Sequence, residues 1–193
     1  VGEDGSGASA SALHAAWSSL TYGKIAGKET LIWGGTDGFC YGYPNKTEKD
    51  ADGYDLFMPS WKVDCNEPEY RIDKDGKKVP YATPPGPSEL IGTPVLYEEK
   101  VYVAIGQDPE HGDGVGRLSC IDAKNGEVVW KYTDVGRTIS TVSVHDDLVY
   151  VAEYAGLIHC LDANDGKLYW TYDSFSRIWG STLVAGGKVL LGN

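Results

Sequence analysis

Between Asp108 and Gly116 the chain gathers Asp108, Glu110, His111 and Asp113 within six residues, interleaved with Gly112, Gly114 and Gly116. Carboxylate oxygens are hard ligands that suit calcium, and an imidazole suits a transition metal. The glycines would let the backbone fold around an ion. Asp108, Glu110 and Asp113 are therefore the candidate metal ligands. The segment has neither EF-hand spacing nor paired histidines, and a solvated loop with turn-forming Asp and Gly is the alternative. A second set is spread along the chain. Ser19, Thr93, Thr141 and Ser181 are small hydroxyl residues, and four places before each stand Ala15, Glu89, Arg137 and Arg177. Equivalent arginines such as Arg137 and Arg177 could grip a carboxylate or a phosphate. The alternative is packing: small residues fit a crowded axis and arginines pair with neighbouring acids.

Other chemistries find little support. The four cysteines include no C-x-x-C and no Cys/His cluster, so they do not read as a metal site. Cys120 and Cys160 sit within apolar runs and read as small buried thiols. Cys40 and Cys65 lie near one another in their blade, but hairpin register does not set them opposite each other. His14, His145 and His159 read as a loop, a turn and a strand residue. No Ser/His/Asp set and no phosphate-cradling glycine loop can be argued.

The elements that must position these groups come from a repeat. Cys120-Ile121-Asp122-Ala123-Lys124-Asn125-Gly126-Glu127-Val128-Val129-Trp130 returns forty residues later as Cys160-Leu161-Asp162-Ala163-Asn164-Asp165-Gly166-Lys167-Leu168-Tyr169-Trp170. A period of about 40 to 45 residues is the size of one four-stranded propeller blade. The expected fold is all-β: a β-propeller of four-stranded antiparallel blades, about three and a half of them in this chain. Blades fall at about 16–65, 91–134 and 139–174, with a half blade at 179–193, an insertion at 66–90 and a flexible segment at 1–15. Strands A and B should turn at Glu98-Glu99 and Asp146-Asp147. Trp61 takes the place of Trp130 and Trp170 in the first blade. The 66–90 insertion, with Thr83-Pro84-Pro85-Gly86-Pro87, reads as a surface excursion with a small hairpin at Asp75-Gly76.

Within the repeat, Gly126 and Gly166 suit a left-handed backbone, and Asp122 and Asp162 can bond N–H groups of their own turns. Trp130 and Trp170 offer flat surfaces to bury between blades. The pattern Asp-x-x-x-Gly-x-x-x-Trp resembles the tryptophan-docking repeat of quinoprotein-type (PQQ-like) β-propellers. Gly92-Thr93-Pro94-Val95, Gly106 to Gly112 and Ser140-Thr141-Val142 resemble uncharacterised bacterial PQQ-like repeat proteins. The resemblance covers about residues 16–193, apart from the insertion. It implies an extracytoplasmic, periplasmic location. It also implies two kinds of relative: dehydrogenases that hold pyrroloquinoline quinone with calcium, and a lipoprotein scaffold of barrel assembly without cofactor. The dehydrogenases carry an adjacent Cys-Cys pair, which is absent from this sequence.

With 193 residues and 41% apolar composition the chain can build a core, and thirteen Tyr, six Trp and twenty-five Gly suit short strands and tight turns. A net charge of −11 argues against nucleic acid and anionic membranes. No apolar run reaches the roughly 20 residues that span a bilayer. The expected function is a non-catalytic binding or scaffold module, its partner a protein or the remaining blades of its own ring. No cofactor is expected from these residues alone. PQQ and calcium, and with them an oxidoreductase activity, would require groups from further blades. A structural subunit joining another propeller edge to edge is a third possibility.

Overall fold

A computed structural model of the chain describes residues 2–83 and 85–192. Three four-stranded antiparallel sheets follow one another, each with its strands in chain order A, B, C and D. Blade 1 comprises Thr21–Ile25, Lys28–Gly34, Phe39–Pro44 and Trp61–Asp64. Blade 2 comprises Val95–Tyr97, Lys100–Ile105, Arg117–Asp122 and Val128–Tyr132. Blade 3 comprises Ser143–His145, Leu148–Ala152, Leu157–Asp162 and Leu168–Asp173. A two-stranded hairpin, Leu183–Ala185 with Lys188–Leu190, follows as strands A and B of a fourth unit. The propeller expected from the repeat is thus the fold observed. Strand A of blade 3 pairs only over Ser143–His145, and Ser140 to Val142 lie outside the ladder.

The A–B turns explain the spacing. Both central residues have positive φ at Glu98 and Glu99 (47° and 60°) and at Asp146 and Asp147 (49° and 59°), and the fourth unit repeats this at Gly186-Gly187. Two successive positive φ values match a two-residue hairpin turn to the strand twist. Strands A of adjacent blades contact one another, so they line the axis. The A–B and C–D turns share one face, because Ala123 N–H donates to Glu99 O and Ala163 N–H to Asp147 O. The B–C and D–A connections emerge on the other face.

Apolar cores lie between blades. Ile32, Cys40, Trp61 and Leu90 meet Val101, Val103, Ile105 and Ile121 between blades 1 and 2. Tyr102, Leu118, Cys120 and Trp130 meet Val149, Val151 and Leu161 between blades 2 and 3. All four cysteines are buried and reduced. Burial pushes the Cys65 thiol up to about 12 and the Cys120 thiol up to about 11.

Two regions differ from their sequence reading. The segment expected to be flexible at 1–15 packs on blade 1 over its described part. Glu3–Asp4 pairs in parallel with Leu56 and Phe57 in a three-stranded side sheet completed by Glu48–Lys49. Ala8 joins Tyr41, Tyr43, Trp33 and Phe57 in an apolar cluster that covers the outer face of blade 1. Trp17, Leu20 and Tyr22 nearby stay exposed. The 66–90 excursion is likewise anchored at both ends: Asn66 and Ser88 exchange hydrogen bonds of 2.8 and 2.7 Å, and Glu89 and Leu90 are buried. Its middle forms the expected small turn, where Gly76 takes φ 76° and Asp73 pairs with Lys77.

Candidate functional site

The face carrying the B–C and D–A connections brings together residues far apart in sequence. Leu13 N–H donates to Thr36 O (2.9 Å), and Ser11 Oγ donates to Asp37 Oδ2 (3.1 Å). These bonds pin the N-terminal segment to the B–C connection of blade 1 and place His14. The B–C connection of blade 2 is the Asp108 loop. Asp108 Oδ1 accepts from Glu110 N–H (2.9 Å) and caps the short 3₁₀ turn Pro109–His111. The buried Gln107 side chain bonds to the His111 carbonyl and holds that turn closed.

The outcome is a cluster of His14, Asp108 and His111 whose ligating atoms all lie within 4.8 Å of one another. The two imidazoles are 4.4 Å apart between centroids, and His111 Nδ1 is 3.4 Å from Asp108 Oδ2. His14 Nδ1 is buried without a hydrogen-bond partner. Trp17 and Tyr81 stack near His14 at 6.3 and 6.0 Å. Glu110 and Asp113 are exposed and stand outside this cluster, so the carboxylate set anticipated from the loop is not assembled. One member of that set, Asp108, is joined instead by two histidines.

Glu89 lies beside this cluster. Its backbone pairs with Gly106 in both directions (2.9 Å each), and its Oε1 accepts from Tyr81 O–H (3.0 Å), while Oε2 is buried without a partner. Burial pushes the Glu89 carboxyl up to about 7, and the nearby Asp108 charge adds to this against the Tyr81 hydrogen bond. A carboxyl that holds its proton near neutrality can donate as well as accept.

The recurrent hydroxyls form a ladder around the axis. Ser19 N–H donates to Thr93 Oγ1 (3.2 Å), Thr93 N–H to Thr141 Oγ1 (2.9 Å), and Thr141 N–H to Ser181 Oγ (3.0 Å). Each blade thereby satisfies a backbone donor of the preceding one. Arg137 and Arg177 both lie over the ring of Tyr154, at 4.4 and 5.4 Å, and Arg177 also donates to its hydroxyl (3.1 Å). They grip an aromatic ring rather than an acid of a neighbouring blade.

The opposite face carries the docking contacts. Trp61 Nε1–H donates to Ala123 O (2.9 Å), and Trp130 Nε1–H to Ala163 O (3.0 Å). Gly126 and Gly166 have φ 78° and 75°, and a Cβ there would meet Trp61 and Trp130 at 2.9 and 2.6 Å. Asp122 and Asp162 accept from Lys124 and Asn164 N–H (2.8 and 2.7 Å) inside their own turns. Each tryptophan thus lies on the glycine turn of the next blade. Trp170 has no such turn over it among the described residues and is 42% exposed, against 9% for Trp130.

Calcium does not suit the donors clustered on this face. Arg137 lies over the Tyr154 ring with its Nη1 buried and without a hydrogen-bond partner, while Arg177 lies over the same ring and donates to its hydroxyl. The cluster donors are two imidazoles and one carboxylate, a poor set for calcium.

Fold and docking turns define a β-propeller architecture. Residues 114–192 match the family model described as outer membrane protein assembly factor BamB. The structure of BamB from Moraxella catarrhalis is similar at 18% identity and TM-score 0.54, over 90% of this chain and 43% of that one. Quinohemoprotein alcohol dehydrogenase from Comamonas testosteroni is similar at 15% identity and TM-score 0.55, over 88% of this chain and 32% of the other. The computationally designed Ika4 protein gives TM-score 0.55 at 12% identity, over 94% of this chain and 89% of its own. At these identities the likeness is one of fold. This chain spans less than half the length of the BamB structure. No curated protein matches it in sequence.

Proposed function

We propose that the chain is a non-catalytic PQQ-like propeller module that acts as a binding or scaffold domain in an extracytoplasmic, periplasmic setting. The observation that supports this reading is the outer edge of blade 3. Trp170, Tyr169 and Tyr172 are exposed there, at the position where Trp61 and Trp130 are covered by the next blade. A groove of about 670 Å³ runs between that strand and the last hairpin, lined by Ile158, Trp170, Tyr172, Val189 and Leu191. Flat aromatic surface of this kind is covered by protein at the other two junctions. Its partner here is either the remaining blades of the same ring or an edge strand of another chain. No helix of the described residues is long and apolar enough to cross a membrane. The matched BamB description, with its outer-membrane assembly role, fits a module whose work is protein contact.

Sedimentation of the chain with and without Trp170→Glu tests this. Association that Trp170→Glu abolishes is expected, and a wild-type monomer with a sharp, concentration-independent melt would overturn it. Part of a quinoprotein dehydrogenase is the rival reading. Retention of added quinone by the protein through desalting in calcium, with dye-linked alcohol oxidation, would establish that rival.

A further inference from the structure

We propose that His14, Asp108 and His111 form a binding site for a divalent transition metal of the zinc class, with a fourth coordination position left for water or an incoming ligand. Two imidazoles and one carboxylate are the donor types that zinc and its neighbours favour. Ligands held at about 2.0–2.1 Å around a tetrahedral ion stand about 3.3–3.4 Å apart. His111 Nδ1 and Asp108 Oδ2 already stand 3.4 Å apart, and all three ligating atoms fall within 4.8 Å. Closing the set from within 4.8 Å to that spacing requires at most about 1.4 Å of movement, and His14 lies on a connecting segment rather than a strand.

Three further observations support a built site. His14 Nδ1 is buried and unpartnered, so no hydrogen bond within the protein competes for that nitrogen. Asp108 Oδ1 is held by Glu110 N–H and the His111 carbonyl by Gln107, so one carboxylate and the backbone that carries His111 are held before an ion arrives. The two imidazoles stand 4.4 Å apart between centroids at an interplanar angle of 56°, close enough for both rings to serve one ion. The site joins the N-terminal segment to blade 2 across blade 1. An ion there would fasten that segment to the body of the propeller.

Zinc titration of the full chain by calorimetry, with thermal melts in zinc, calcium and chelator, tests the assignment. One zinc per chain is expected, with a rise in Tm in zinc and none in calcium. His14→Ala and His111→Ala should each weaken zinc by more than about 100-fold, beyond what loss of a mere supporting group costs. Glu110→Gln and Asp113→Asn should bind as the wild type does. Cobalt provides a readout that needs no variant: intense visible d–d bands of a tetrahedral nitrogen and oxygen site are expected at one equivalent. Absence of zinc binding, an equal shift with calcium, zinc binding that survives His14→Ala, or a featureless cobalt spectrum would each overturn the site.

Discussion

The C–D turns of blades 2 and 3 make the same contacts, whereas the B–C connections of the same two blades share almost nothing. On the turn face, Asp122 and Asp162, Ala123 and Ala163, and Gly126 and Gly166 hold equivalent hydrogen bonds and receive Trp61 and Trp130 in the same way. On the other face, blade 2 inserts Gln107 to Gly116 and positions Asp108 and His111, while blade 3 turns directly through Tyr154 to Gly156. The D–A residues diverge equally, since Glu89 is buried beside Tyr81 and Arg137 lies over Tyr154. A blade-to-blade joint must recur identically for the ring to propagate. The opposite loops are not bound by that requirement and can acquire separate chemistry.

The sharpest way to break this contrast is at the tryptophans. Trp130→Ala should destabilise by about 3–5 kcal/mol, the usual cost of emptying a buried aromatic site, and Trp61→Ala should follow it. Trp170→Ala, on the uncovered edge, should cost well under half as much in the isolated chain. Equal losses in denaturant midpoint for Trp130 and Trp170 would mean that Trp170 is covered in solution.

Glu89 probes the other face. A carboxyl whose folded pKa is raised contributes stability that is full below the ordinary glutamate value and is lost as pH rises through about 7. In chelator, the wild type should therefore lose on the order of 2–3 kcal/mol between about pH 5 and 8. Glu89→Gln keeps an acceptor for the Tyr81 hydroxyl and should flatten that slope. Parallel melts for both proteins across this range would place Glu89 in contact with solvent.

Gly166→Ala tests the turn face at smaller scale. Its φ of 75° and the 2.6 Å approach of the Trp130 ring predict a loss of about 1–3 kcal/mol. Gly7 has a similar φ of 75° but nothing within 4 Å, so Gly7→Ala should show the backbone term alone. Similar midpoints for the two variants would remove the close approach of Trp130 as a cause. The smallest effect belongs to the axis. Thr141→Val deletes the acceptor of Thr93 N–H and should cost about 0.5–1.5 kcal/mol. Faster hydrogen exchange confined to Thr93 should accompany it.

The sequence alone determined the blades, because their constraints are local and repeat. A hairpin turn, a short apolar strand and an Asp-x-x-x-Gly-x-x-x-Trp string each act within a few residues, and the forty-residue period shows that they act twice. It also showed Asp108 as a residue able to ligate and the four recurring hydroxyls as one equivalent set. Only the tertiary structure decided what those groups meet. His14 lies ninety-four residues before Asp108, and no period or motif connects them; they meet because Leu13 is pinned to Thr36 and the blade 2 loop folds back under Gln107. The hydroxyls proved to be acceptors for neighbouring backbones and the arginines partners of Tyr154, roles set by the distance between adjacent blades. Trp130 and Trp170 read alike in sequence, and one is covered while the other is exposed, because burial belongs to the neighbouring blade and not to the residue.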